Sequence, residues 1–508
     1  MPPTFTARRL AACLALLAAS AAGQTARAQT ADAPGQTVTI ADAVRIALDR
    51  SPDVDRAAIA DRTAALAVRG AQAGRLPAVA LQVGPAQQVG LGFDQTTGQL
   101  SSQSTQSLNV GLSADVRLFD GRRTRYAVEG ARLDREAASV SALRTEQQVA
   151  LDVAQRFLQL LLDRELVGVQ AGQLAAALSQ RAQVDALVEG GARARGDLIA
   201  QDAVVAERRA ALVEAEGAVA RDEALLVQAT GLDPLSAPRF VGPSLDALEA
   251  AGALDYTPPP LAGLLAAARE TRADVRAQAL RIRSAEAAVG VARAQGRPTV
   301  DVQARVGTGY SSLQQRLADP DAPPVLVPVT LPDGTPVLVG GQPFTVPAGQ
   351  GDLERTPFLI QGADNRSGSV SLSLVVPIFD RYAARRATEE ALVRTDDARL
   401  TRDALVRQVD ADVQTAAVEA RTAAARLGAA RVQVEAATAA LRVERDRYEL
   451  GAGTLYAVAE AQTRLAGAES ARVQAAYGLV FRAALVRLAV GDLTPEALAA
   501  SLVQGRGE

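Results

Sequence analysis

Ser113-Ala-Asp-Val-Arg-Leu-Phe-Asp120 and Ser373-Leu-Val-Val-Pro-Ile-Phe-Asp380 are one phrase written twice, at an offset of 380 − 120 = 260. Gly191-Ala-Arg-Ala-Arg-Gly-Asp197 returns at the same offset as Gly451-Ala-Gly-Thr-Leu-Tyr-Ala457. Earlier in each half, Ala71-Gln-Ala-Gly-Arg-Leu-Pro-Ala-Val79 returns as Ala292-Arg-Ala-Gln-Gly-Arg-Pro-Thr-Val300, at an offset of 300 − 79 = 221. Solenoid repeats run to a few dozen residues, so a period this long is a whole structural unit copied once. The difference, 260 − 221 = 39, places 39 extra residues between the two strand-like segments of the second copy.

Around the repeated phrase the hydrophobic period is two. Leu108, Val110, Leu112, Ala114, Val116 and Leu118 alternate with Asn109, Gly111, Ser113, Asp115 and Arg117. In the second half Val370, Leu372, Leu374, Val376 and Ile378 alternate with serines. Val79, Leu81, Val83 and Val300, Val302, Ala304, Val306 supply partner strands. Alternation over roughly ten residues suits a strand with one face in lipid and the other in water. One such strand reads by default as half-exposed sheet in a soluble protein. Four, paired as hairpins, favour a membrane.

Away from these strands the period is helical. No proline falls between Pro85 and Pro234, or between Pro377 and Pro495. Val149, Val153, Phe157, Leu160 and Val409, Val413, Ala416, Ala420 keep helical spacing. Gly121 to Glu189 as one helix would reach about 100 Å at about 1.5 Å per residue. Gly191 and Gly451 sit where such helices must stop, the usual place for a helix-ending glycine. The chain therefore divides into a leader (1–28), a first repeat (29–231) and a linker (232–260), followed by a second repeat (261–491) and a tail (492–508). The first repeat carries a hairpin at about 77–119 and long helices over 121–230. The second carries a hairpin at about 298–379, with an outer loop at 310–368, and long helices over 382–490. Val325 to Val339 reads as a small hairpin around Asp333-Gly334 within that loop.

Residues 1–28 read as a secretory signal, with Arg8 and Arg9, an apolar Leu10–Ala22 and Ala26-Arg27-Ala28 before the cut. Cys13 is the only cysteine and lies in that leader, so disulfides, thiolate metal sites and cysteine nucleophiles are excluded from the mature chain. There is no histidine and no lysine; all 54 basic residues are arginine. Metal ligation and catalysis thereby lose their commonest side chain, and no Gly-x-Ser-x-Gly motif offers a serine nucleophile. No cofactor, metal site or catalytic residue is expected. A net charge of −3 gives no reason for a nucleic-acid partner. Beyond the leader the sequence reads as having no membrane-spanning helix, which leaves a periplasmic protein or a membrane β-barrel.

Four strands cannot close a barrel, because an open edge in lipid leaves backbone groups unpaired. Two copies would give eight strands and three would give twelve; the residues alone do not choose. The competing reading is a periplasmic coiled-coil scaffold without a pore, which accounts for the Ala/Arg/Glu-rich helices and leaves the paired strands unexplained.

Over about residues 38 to 491 the chain resembles the TolC-like outer-membrane efflux proteins. The resemblance rests on Leu118-Phe119-Asp120-Gly121 and Val376-Pro377-Ile378-Phe379-Asp380, and on the helix turns Gly191 to Gln201 and Tyr448 to Gln462. It implies an α+β membrane protein: a homotrimer with a twelve-stranded β-barrel, four strands per chain, in the outer membrane of a Gram-negative bacterium. An α-helical tunnel would continue into the periplasm, with a periplasmic adaptor and an inner-membrane pump of RND or ABC type as partners and outer-membrane lipid around the barrel. The function implied is the exit duct of a tripartite efflux or type I secretion system. Within it, Asp197, Tyr448 and Glu460 match positions that close or narrow the tunnel end, beside the turn glycines Gly191 and Gly451. Gly453 stands where some members carry an arginine that pairs with the acid, and Ala457 where some carry a second ring aspartate. Those departures put the acid–arginine link in question and point to one acidic ring rather than two. Glu460 reads equally as that ring or as a solvated surface charge.

Overall fold

A computed structural model describes Gly35 and residues 37–94, 99–318, 326–347 and 353–492. The leader and all but the first residue of the tail lie outside the described residues. The first half runs β1 (Thr37–Val38), α1 (Ile40–Arg50), α2 (Pro52–Ala73), β2 (Ala78–Asp94), β3 (Gln99–Phe119), α3 (Arg123–Glu189) and α4 (Arg195–Thr230). After a 3-10 turn at Pro234–Ser236 come β4 (Arg239–Phe240) and α5 (Leu245–Ala250). The second half opens with α6 (Leu261–Thr271), α7 (Ala273–Ala294) and β5 (Thr299–Ser311). Short strands follow: β6 (Gln315–Leu317), β7 (Leu326–Pro328), β8 (Leu338–Val339), β9 (Gln342–Pro343), β10 (Thr345–Pro347) and β11 (Leu353–Arg355). Then come α8 (Phe358–Asp364), β12 (Ser367–Val375), α9 (Ala383–Glu449) and α10 (Leu455–Val490).

The duplication is visible in the helix lengths. α1 and α6 have 11 residues each, α2 and α7 have 22, α3 and α9 have 67, and α4 and α10 have 36. Helix starts and stops are local. Thr39 caps α1 with a capping box, its hydroxyl accepting from the Asp42 N–H while the Asp42 carboxylate accepts from the Thr39 N–H. α4 and α10 end on Gly231 and Gly491 in left-handed conformation.

The residues form two compact units. The first takes described residues from Met1–Arg56, Leu143–Arg272 and Val409–Glu508 and holds the main apolar core. Phe157 meets Phe240 edge-on at 6.0 Å, and Leu160, Leu226, Leu248 and Leu479 close around them with almost no exposure. β1 pairs parallel with β4 in this unit, so the linker is more ordered than its proline content implies. Ion pairs tie α6 and its C-cap to α9: the Arg269 guanidinium donates to both Asp410 oxygens, at 2.9 and 2.6 Å, and Arg272 pairs with Asp412 at 3.1 Å.

The second unit, Ala57–Ala142 with Ala273–Gln408, carries an antiparallel sheet ordered β12-β5-β3-β2. The register puts Val79, Ala114, Ala304 and Val370 in one cross-strand row, and Leu81, Leu112, Val306 in the next. All the apolar side chains of the alternating pattern thus share one face, and that face is uncovered: Leu81, Val306 and Leu372 are 69%, 62% and 70% exposed. The opposite face carries the serines and the Arg117–Asp301 ion pair at 2.7 Å. Where each strand pair meets its long helix, the repeated Asp acts as a cap. Asp120 accepts from the Thr124 N–H at 2.6 Å and from the Thr124 hydroxyl, and Asp380 accepts from the Ala384 N–H at 2.8 Å. The chain turns there through left-handed residues, Gly121 and Arg122 in one half, Arg381 and Tyr382 in the other.

Three expectations are corrected. β12 stops at Val375, short of Val376 and Ile378, because Pro377 has no N–H to continue the ladder. In the outer loop the reversal at Asp333-Gly334 is present, with Thr330 bridged to Pro336, but β7 pairs with β10 instead. Gly340 and Gly341, both at positive φ, make a second reversal that pairs β8 with β9. Finally, α10 does contain a window long and apolar enough to cross a membrane, with mean hydropathy 1.4. More than half of that window is buried in the protein, where Val473, Tyr477, Leu479 and Val480 belong to the core of the first unit.

Candidate functional site

The two helix turns of the first unit are built alike. Gly191 has φ +72° and Gly451 has φ +73°. Behind each, the next residue's N–H reaches back five positions: Ala192 to Leu187 O at 2.8 Å, and Ala452 to Arg447 O at 2.9 Å. The glycine N–H bonds three back, to Val188 O and to Tyr448 O. This double closure satisfies the last helix carbonyls and requires the left-handed glycine. The expected roles of Gly191 and Gly451 are therefore geometric.

The turns then diverge. Thr454 caps α10 by accepting from the Ala457 N–H at 3.3 Å, whereas Ala194 gives α4 no side-chain cap. Asp197 lies in the first turn of α4, half-buried, near the positive end of the helix dipole. Ala457 occupies the equivalent place in α10.

Tyr448 is buried in a small cluster with Leu441, Val458 and Ala461. Its hydroxyl is buried and has no hydrogen-bond partner among the described residues. The guanidinium of Arg193 lies 4.4 Å from the centre of its ring, and the same arginine donates to Tyr448 O at 3.2 Å. Arg193 thus ties the first turn to the second by a cation–π contact and a charge-assisted hydrogen bond. Sequence reasoning missed it, yet the signal was present: 453 − 193 = 260, so Arg193 occupies in the first half the position that Gly453 occupies in the second. A side chain at 453 is blocked by the backbone, since a Cβ there would fall 2.9 Å from Tyr448 N. The turn keeps its cation by carrying it on the other repeat.

Glu460 is exposed on α10 and pairs with Arg464 at 2.6 Å, one turn on. Among the described residues no hydrogen bond or ion pair joins Asp197, Tyr448 and Glu460; Arg193 and Tyr448 are the pair that meets. Beside them opens a cleft of about 1000 Å³ whose polar lining includes Ser179, Gln183, Arg193, Arg445 and Glu449. Further along the same helices, Arg208 donates to Thr463 Oγ1 at 2.6 Å and Gln173 to Glu469 at 3.0 Å. Arg181 donates to both Asp185 and Asp202 at 2.9 Å, joining α3 to α4, and these carboxylates, Asp202 foremost, hold its pKa above the ordinary arginine value. Among the described residues no group of three or more acidic side chains is placed to hold a metal ion.

Residues 43–232 and 264–492 match the family described as outer membrane efflux protein, and the chain belongs to that family. No curated protein matches it. Among solved structures it is similar to CusC, at 16% identity and TM-score 0.68, covering 89% of this chain and 92% of that one. The outer membrane protein VceC from Vibrio cholerae has the same fold at 17% identity and TM-score 0.67, covering 89% and 96%. So does the MtrE outer membrane channel of Neisseria gonorrhoeae, crystallised in an open state, at 19% identity and TM-score 0.62, covering 89% and 88%. The chain is thus an outer membrane efflux protein, and the pore-free scaffold reading is set aside.

Proposed function

We propose that three copies of this chain form one closed twelve-stranded barrel, continued by a helical tunnel, that serves as the exit duct for a periplasmic adaptor and an inner-membrane pump. The observation that carries the assembly is the bare-edged sheet. β12 and β2 are its two edges, and each has no strand on its outer side among the described residues. They run antiparallel to each other, so β2 of one copy can continue the ladder of β12 of the next without breaking the alternation. Such a head-to-tail contact closes by rotation, and 4 × 3 = 12 strands leave a water-filled lumen lined by the serine-bearing face. No enzymatic step is assigned. Drug efflux, metal-ion efflux and protein secretion use the same kind of duct, and the pump sets the cargo.

The gate belongs at the two helix turns. Gly191 and Gly451 shape them, and Arg193 over Tyr448 latches them within one chain. Asp197, half-buried in the first turn of α4, is the acid available for a link to a neighbouring copy. Glu460, repeated by symmetry, would put an acidic ring at the entrance, with its field reduced by Arg464.

The mature chain lacks cysteine, so cysteine pairs scanned along β2 and β12 test the assembly directly. The expected result is a covalent ladder that ends at three copies in outer membranes. A ladder that ends at two sinks the twelve-stranded reading. In planar bilayers, Glu460→Gln should lower cation selectivity and cation block; unchanged behaviour removes the acidic ring.

A further inference from the structure

Among the described residues α8 is the one helix of the outer loop, and it packs against the apolar face of the sheet. Leu108 pairs with Tyr310, Val110 with Thr308 and Leu112 with Val306, so Thr308 and Tyr310 continue the apolar row. Both touch α8: Thr308 Oγ1 donates to Gly362 O at 2.9 Å, and the Tyr310 ring lies 5.3 Å from the Phe358 ring. The helix is fixed there by a buried amide. Gln361 accepts from the Ser311 N–H at 2.8 Å and donates to Ser311 O at 2.9 Å and Thr356 O at 2.8 Å. Asn365 adds a bond to Gly309 O at 2.6 Å. α8 is therefore fixed along the β5 edge, beyond the start of β12, with Thr308 and Tyr310 bringing it against the apolar face at the end of the sheet away from its helices.

Its exposed residues are Phe358, Leu359, Ala363 and Asp364. Leu359 is 81% exposed and Phe358 52%, although the helix is anchored by polar bonds on its inner side. The level is also informative. From Leu108 to Leu118 the outward row of β3 is apolar; beyond Leu108 it turns polar at Gln106 and Ser104. At about 3.3–3.4 Å per residue and a tilt of about 40°, that row spans about 25 Å, the height of a barrel's apolar band. α8 thus sits beside the level at which the β3 row turns polar, while Val89 and Leu91 keep the same face of β2 apolar further out. Arg355 and Arg366 flank it, both exposed, matching the anionic phosphates found at that depth. A groove of about 450 Å³, with Pro85, Leu108, Tyr310 and Phe358 in its wall, lies beside it on the same face.

We propose that α8 is an interfacial helix that lays Phe358 and Leu359 into the outer leaflet and seats a lipid acyl chain in the groove beside Tyr310. This rests on the membrane-barrel reading above. Continuity with the apolar row and the flanking arginines select lipid as the occupant.

The chain contains no tryptophan, so one introduced indole is the sole indole emitter. Leu359→Trp and, as a reference on the strand face, Leu372→Trp are made in the full chain. The assembled proteins are reconstituted in phosphatidylethanolamine/phosphatidylglycerol vesicles with brominated acyl chains. Leu372→Trp should be quenched most by bromine near mid-chain, and Leu359→Trp most by bromine near the headgroup, each with blue-shifted emission. A water-like, unquenched Leu359→Trp overturns the proposal. So does a blue-shifted but unquenched one, which means that protein covers the helix. If Leu372→Trp is unquenched as well, the membrane reading of the sheet falls with it.

Discussion

At the residue scale, the contact with most consequence is Arg193 over Tyr448. A cation–π contact of this kind contributes about 0.5–1 kcal/mol when partly exposed, a factor of up to roughly five in a closed-to-open ratio. Arg193→Ala should therefore raise resting conductance in planar bilayers and sensitise cells to bulky antibiotics, while Tyr448→Phe keeps the ring and should change little. A second prediction concerns Asp222. Burial first, and then the adjacent Asp163 carboxyl, raise its pKa from 3.8 to about 6. Gln159 donates to Asp163, and the nearby Arg156 and Arg221 offset only part of the shift. Because the folded state holds this proton more tightly than the unfolded chain, stability is lost as pH rises through about 6. Asp222→Asn should therefore be more stable than wild type above that pH, by about 1–2 kcal/mol after solvent screening, and equal to it near pH 4. Thermal unfolding across that range checks it. Neither residue was legible in sequence: arginines and aspartates recur throughout these helices, and only the fold shows which of them face one another.

At the element scale, the repeated Phe-Asp phrase acquires a mechanical meaning. Asp120 and Asp380 each accept an N–H at the start of a 67-residue helix. Losing such a cap costs about 1 kcal/mol, so Asp120→Ala and Asp380→Ala should each lower the unfolding midpoint, with Asn substitutions largely neutral. At the turns, Gly451→Ala forces a Cβ into φ +73° and should cost about 1 kcal/mol. The elements themselves were largely legible, because period two and period 3.6 are written plainly into strands and helices. What was not legible was pairing among the short strands of the outer loop. Gly340 and Gly341 there compete with Asp333-Gly334 for the reversal, and composition does not rank the two.

At the scale of the whole molecule, the two helix turns are asymmetric although the architecture is duplicated. The capping threonine sits on one repeat and the cation on the other, so the two turns are not interchangeable. Exchanging them, with Gly453→Arg and Arg193→Gly together, should not restore the latch, because a Cβ at 453 meets Tyr448 N before any side chain extends. Conductance of the double variant should remain at the level of Arg193→Ala; recovery to wild type would show that the backbone can move aside. This asymmetry was half visible in the sequence. Gly453 stood out as a departure, but its partner on the first repeat required the offset of 260 to be read against a three-dimensional contact.

The matched helix lengths limit how this chain can change. α3 and α9 have 67 residues each and α4 and α10 have 36, and the Arg193–Tyr448 contact joins the turns that follow α3 and α9. A heptad inserted into α3 alone carries Arg193 about 10 Å along the helix axis, out of reach of Tyr448. The same heptad must then appear in α9, and the returning α4 and α10 must lengthen to carry it back. Helix reach is thus inherited as a single quantity distributed over four helices, and lengthening the proposed duct takes four coordinated insertions.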